Sequence, residues 1–104
     1  MTFTTTATAS PEGNVPTYNS DDLLDGTTLN VDLSTGSFTT SSIILYNASE
    51  TPTLTITHNT KTGTTAAVVV SPGAANHLKV TGTASMTAGA NNELTVTAHD
   101  LYGN

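Results

Sequence analysis

Residues 93–100 read ELTVTAHD, and this run decides the fold class. Leu94, Val96 and Ala98 fall on one side of an extended chain; Thr95, Thr97 and His99 fall on the other. Strict period two marks a strand in a sheet that is wet on one face. The pattern recurs upstream. HLKVTG (77–82) puts Leu78 and Val80 together with Lys79 opposite. TLNVDLST (28–35) aligns Leu29, Val31 and Leu33, and PTLTITHNT (52–60) sets Leu54, Ile56 and His58 against Thr53, Thr55 and Thr57. SSIILYN (41–47) and AAVVVS (66–71) are continuous apolar runs, as in more buried strands. TFTTTATAS (2–10) is a weaker strand anchored by Phe3. The predicted strands centre on 28–33, 43–46, 53–58, 65–70, 77–80 and 93–98. The expected core is Leu29, Val31, Leu33, Ile44, Leu54, Ile56, Val68, Val70, Leu78, Val80, Leu94 and Val96.

Turn signals separate these runs. SPEGNVPTYNSDDLLDG (10–26) is the longest irregular stretch. NTKTG (59–63) is a hairpin candidate in which Gly63 is expected to supply the positive φ. SPGAAN (71–76) is a short stiff connector, and MTAGANN (86–92) is a break between strands. Short strands at this spacing predict an all-β fold, a β-sandwich.

Composition agrees. The 104 residues leave room for one small domain. Threonine, a β-branched strand former, is the commonest residue. Aromatics are only 5%, so aliphatic side chains must supply most of the core. With two lysines, no arginine and a net charge of −6, the chain lacks the basic footprint that nucleic acid or anionic lipid requires. There is no cysteine, so neither a disulfide nor a thiolate site is available. No apolar run approaches membrane-spanning length, and membrane insertion is not expected. MTFTTTATAS lacks the regions of a signal peptide, and Met1 reads as a start placed before an excised segment.

The stretch SPGAANHLKVTGTASMTAGANNELTVTAHDLYGN (71–104) resembles the opening of bacterial immunoglobulin-like repeats, of the invasin and intimin type that occur in tandem in large surface proteins. It has a connector rich in Pro, Ala and Ser, a strand like HLKVTG, and a small-residue break like MTAG. A strand like LTVTAHD and the turn DLYGN follow. ASPEGNVPTY (9–18), TTLNVDL (27–33) and TLTITHNTKTGTTAAVVVSPG (53–73) match more loosely and look like the later strands of such a repeat. The resemblance implies an immunoglobulin-like β-sandwich of about seven strands, a non-enzymatic structural spacer, and an extracellular or cell-surface location. It also implies a register: residues 1–73 carry late strands of one repeat and 74–104 the first strands of the next. One sandwich unit results, cut out of frame.

That register leaves two outcomes. The C-terminal strands either fold back as a self-closed circular permutant or complete a neighbouring copy head to tail. In an immunoglobulin-like sandwich the first strand starts roughly 35–40 Å from the end of the last, for strands of about ten residues. SPGAAN spans at most about 20 Å. The expectation is therefore a homo-oligomer assembled by strand exchange, with Leu78, Val80, Leu94 and Val96 as the assembly residues.

Other candidates are weaker. Asp21, Asp22 and Asp25 in NSDDLLDG, and Asp100 near Asn104, are hard-oxygen groups that suit Ca²⁺. The spacing is not that of an EF-hand, and solvated turns explain them as well; no cofactor is expected. His58, His77 and His99 are scattered, with no zinc spacing. No Ser–His–Asp arrangement stands out from chance in a chain this rich in Ser and Thr, so no enzyme is expected. Asn47-Ala48-Ser49 is a glycosylation sequon in an expected loop. Rows of Thr raise an alternative class, an ice-binding module, although the rows look short. A ligand-binding module would need exposed aromatics, and only Phe3, Tyr18, Phe38, Tyr46 and Tyr102 exist.

Overall fold

Phe3 organises the first half of the molecule. In the computed structural model, which describes residues 1–28 and 30–104, Phe3 lies on strand β1 (Thr2–Thr5) and is 2% exposed. Strand β1 pairs antiparallel with β4 (Thr27–Thr28) on one side and β6 (Leu54–His58) on the other; β6 pairs with β7 (Lys61–Thr64). The sheet order is β4-β1-β6-β7. A second sheet, β3-β2-β5, is built from β2 (Thr17–Tyr18), β3 (Asp21–Asp22) and β5 (Ile43–Ile44). The sheets meet where Phe3 touches Leu23, with Met1, Tyr18, Val31, Ile43 and Leu54 packed around the pair. Tyr18 meets the Phe3 ring edge-on at 5.6 Å. Burying a side chain of this size stabilises by about 1.5–3 kcal/mol.

The third sheet is a hairpin of β8 (His77–Gly82) and β9 (Leu94–His99), paired over six residues from His77↔His99 to Gly82↔Leu94. Its main packing partner is itself. The molecule measures 74 × 23 × 22 Å with a radius of gyration of 20.0 Å. A compact domain of this length would have about 13 Å. The excess is the hairpin, which projects from the body. All pairings are antiparallel, and no helix occurs among the described residues.

Several expectations are corrected. Of the strand expected over 28–33, residues 30–33 are not in a strand: Asp32 Oδ1 accepts the Ser34 N–H and Gly36 N–H bonds the Leu33 carbonyl, turning the chain. Residues 65–70 form no strand; Thr65 and Val68 N–H groups bond the Leu54 and Pro52 carbonyls. The β6–β7 turn takes its positive φ from Asn59 (53°), while Gly63 sits in the ladder opposite Ile56. The stretch read as irregular contains β2 and β3, joined by Asn19 and Ser20 at φ 50° and 73°. Both central residues at positive φ is the turn whose twist suits a two-residue hairpin. Of the expected core, Leu33, Ile44, Ile56, Leu78, Val80, Leu94 and Val96 are exposed, because no second layer among the described residues covers their faces. Leu29 lies outside the described residues.

Candidate functional site

Three features sit along one axis: a groove, a hairpin and a clamp between them. The second sheet covers only the β4–β1 half of the first. The inner face of β6 and β7 stays open, giving a groove of about 740 Å³. Phe3, Leu54 and Ile56 line it from the first sheet, Ile43, Val31, Leu33 and Phe38 complete it, and His58 and Lys61 mark its outer end at the β6–β7 turn. The threonines of β7, with His58 and Lys61, are its polar lining.

The hairpin presents the opposite half of the pattern. Cross-strand partners share a face in an antiparallel pair, so Leu78 joins Ala98, Val80 joins Val96, and Leu94 joins Gly82. A Cβ on Gly82 would stand 2.5 Å from the Leu94 Cδ2 methyl, so the glycine lets Leu94 lie flat across the ladder. Leu78, Val80, Leu94 and Val96 are 57–67% exposed. The other face carries His77 stacked on His99, Lys79 opposite Thr97, and Thr81 opposite Thr95.

The clamp fixes the hairpin's root. Asp100 is 3% exposed, and its carboxylate accepts N–H bonds from Gly73 (2.8 Å), Tyr102 (2.9 Å) and Asn104 (2.9 Å). The Asn104 amide nitrogen donates to both Asp100 oxygens and to the Tyr46 carbonyl, while its oxygen accepts the Ala48 N–H. Glu12 N–H bonds the Tyr102 carbonyl, Tyr102 packs edge-on against Tyr46 at 4.8 Å, and the His99 ring donates to the Gly103 carbonyl. Gly103, at φ 84°, lies where a Cβ would meet Pro11 and Glu12 at 3.0 Å. The turn DLYGN thus ties the hairpin to its own body, so residues 100–104 do not travel with 77–99. The Asn104 amide, foremost, holds the Asp100 carboxyl at about 2. Burial opposes this, and the Gly73, Asn104 and Tyr102 N–H groups add to the lowering.

Groove and root lie at opposite poles. β5 leads toward Tyr46 and the clamp, as does β1, whereas β6 leads away to His58 at the groove's outer end.

The acidic candidates lie apart, Asp21, Asp22 and Asp25 around β3 and Asp100 at the clamp. Both Asp100 oxygens are occupied by N–H donors. Asp22 Oδ1 accepts the Leu24 N–H, and Asp21, Asp22 and Asp25 are exposed. No three His, Asp or Glu side chains among the described residues are placed to share a metal ion. Of the histidines, His77 and His99 meet at the root and His58 stands at the groove. The sequon amide of Asn47 donates to Thr8 Oγ1, and its oxygen accepts from Ser49. No helix among the described residues is long and apolar enough to cross a membrane. Sequence reasoning found the hairpin face but missed the groove, whose lining is spread from Met1 to Thr65. No family model, curated protein or solved structure matches the chain. The fold therefore defines a class only: an all-β, sandwich-like body with a projecting, clamped hairpin.

Proposed function

We propose that this chain is a structural subunit that assembles head to tail, the hairpin of one copy filling the groove of the next. A single observation carries the reading: an apolar hairpin face and an apolar groove are both uncovered in one elongated unit. Such a contact is heterologous and does not close on itself, so it propagates as a filament. In the filament each body, completed by two strands, becomes an immunoglobulin-like sandwich, in line with the resemblance of residues 71–104 to bacterial surface repeats. That resemblance also supports an extracellular or cell-surface place and a mechanical, non-enzymatic role. Sedimentation and negative-stain images of the full chain test it. Filaments with an axial repeat of roughly half the 74 Å long axis are expected. A 10.6-kDa particle at every concentration would refute it.

A second reading has its own observation. On the outer face, Thr28, Thr2, Thr57 and Thr62 form one row across four strands, and Thr4, Thr55 and Thr64 form another across three. A regular hydroxyl array of this kind could order water against ice. Neighbouring hydroxyls already bond one another, Thr55 to Thr64 and Thr57 to Thr62, which leaves fewer groups free. Thermal hysteresis of the assembled protein decides this reading.

A further inference from the structure

We infer that the hairpin is accepted at the free edge of β5, with β9 of one copy running antiparallel to β5 of the next. The completed sheet then has the order β8-β9-β5-β2-β3 and covers β4-β1-β6-β7. This rests on the assembly reading above and fixes which backbone edges meet.

Position gives the first argument. The uncovered surface is the inner face of β6 and β7, and Ile43 of β5 borders it. Strands added beside β5 extend the second sheet over that face. Strands added beside β7 would widen the first sheet and leave Leu54 and Ile56 open to water.

Direction gives the second. An entering hairpin has its root at the groove's outer end and its tip toward the acceptor's clamp. β8 then runs parallel to β5, and β9 antiparallel. Every pairing among the described residues is antiparallel, and only β9 continues that arrangement.

Charge gives the third. Exposed strand edges are commonly guarded by charged residues, lysine above all. The chain's two lysines stand on β7 (Lys61) and β8 (Lys79), and β3 carries Asp21 and Asp22. β5 and β9 carry no Asp, Glu, Lys or Arg, and no such residue occurs anywhere in the run 33–49. Three edges are thus unguarded, β4, β5 and β9; β4 borders the half of the first sheet away from β6 and β7, so β5 and β9 are the two at the open face. The hairpin also balances its own charge, Lys79 against Glu93. Residues 1–73 hold Glu12, Asp21, Asp22, Asp25, Asp32 and Glu50 against Lys61 alone. A neutral arm can therefore dock on an acidic copy without like-charge repulsion.

Paired cysteines test this cleanly in a chain that has none. Ile44 is exposed and lies outside the groove lining, and Thr95 and Thr97 face away from the apolar side of β9. Full-length chains carrying Ile44→Cys with Thr95→Cys or Thr97→Cys are assembled, oxidised and run on non-reducing gels. The expected result is a ladder at multiples of the subunit mass from at least one pair. Thr62→Cys or Thr64→Cys with Thr97→Cys probes the β7 edge and should stay monomeric on the gel. Large particles with a ladder only from the β7 pairs, or with no ladder, overturn the β5 edge and leave the assembly reading standing. A 10.6-kDa particle before oxidation overturns both.

Discussion

The body and the hairpin share one alternating pattern and end in opposite states. On β1, Phe3 is almost wholly buried; on β9, Leu94 and Val96 stand mostly exposed. The hairpin even has the longer ladder, six cross-strand pairs against four between β1 and β6. The difference separates two achievements. A two-stranded ladder satisfies its own backbone groups, but covering an apolar face takes a second layer. β1 has that layer in Leu23 and Tyr18. β9 lacks one within its chain, while an uncovered groove waits at the far pole.

The largest effect should come from charging the hairpin face. Val80→Asp with Leu94→Asp is expected to abolish assembly and leave a particle of 10.6 kDa whose circular dichroism stays β. Both positions are solvent-exposed in the lone chain, so the body should lose no more than about 0.5 kcal/mol. Light scattering on the double variant reads this directly. Assembly equal to the parent's would show that the face is not an interface.

Phe3→Ala tests the other half of the comparison. Removing the ring should cost the body about 3–5 kcal/mol, part of it from the cavity left against Leu23 and Tyr18. Thermal melting should fall in monomer and assembly alike. A melting curve unchanged from the parent's would mean that the sheets are not held together at Phe3.

Leu94→Ala is intermediate and depends on state. At low concentration, where the side chain faces water, melting should match the parent. In the assembled protein the loss should be about 2–4 kcal/mol, that of a core leucine. Melting measured across concentrations separates the two, and an equal loss at all concentrations would place Leu94 in a core of its own chain.

These tests also mark what the sequence could tell. Alternation placed β8, β9, β6 and, through Phe3, β1, because apolar period two is a local property. It identified the apolar face of the hairpin without identifying its cover. The hairpin at Asn19-Ser20 was lost among Pro, Gly and Asp, since two-residue strands carry no period. The signal was present in a turn pair flanked by Thr17-Tyr18 and Asp21-Asp22. Asp32 misleads over residues 30–33 because it suits both an outward strand position and a turn. The clamp was half legible. The turn at 100–104 is local, but its partners Gly73 and Tyr46 lie 27 and 58 residues away, and no sequence spacing announces them.

The smallest effect concerns that clamp, which joins the two regions. The Asp100 carboxyl, ordinarily 3.8, is held at about 2 by Asn104 and the surrounding N–H donors. A group whose folded pKa is lowered contributes stability that is complete above its unfolded pKa and disappears as pH falls through the folded one. The root should therefore be fully fastened above about pH 4 and loosen progressively toward about pH 2. Amide exchange at Gly73, Tyr102 and Asn104 should quicken over that window, before the amides of β1 and β6 respond. Asp100→Asn should reproduce the loosening at neutral pH, because the carboxamide turns an NH₂ toward donors that need an acceptor. The hairpin would keep its ladder yet lose its fixed angle to the body, so filaments should still form but bend more in images. Protection at Gly73 that is equal in the variant and the parent would show that the turn holds without its carboxylate.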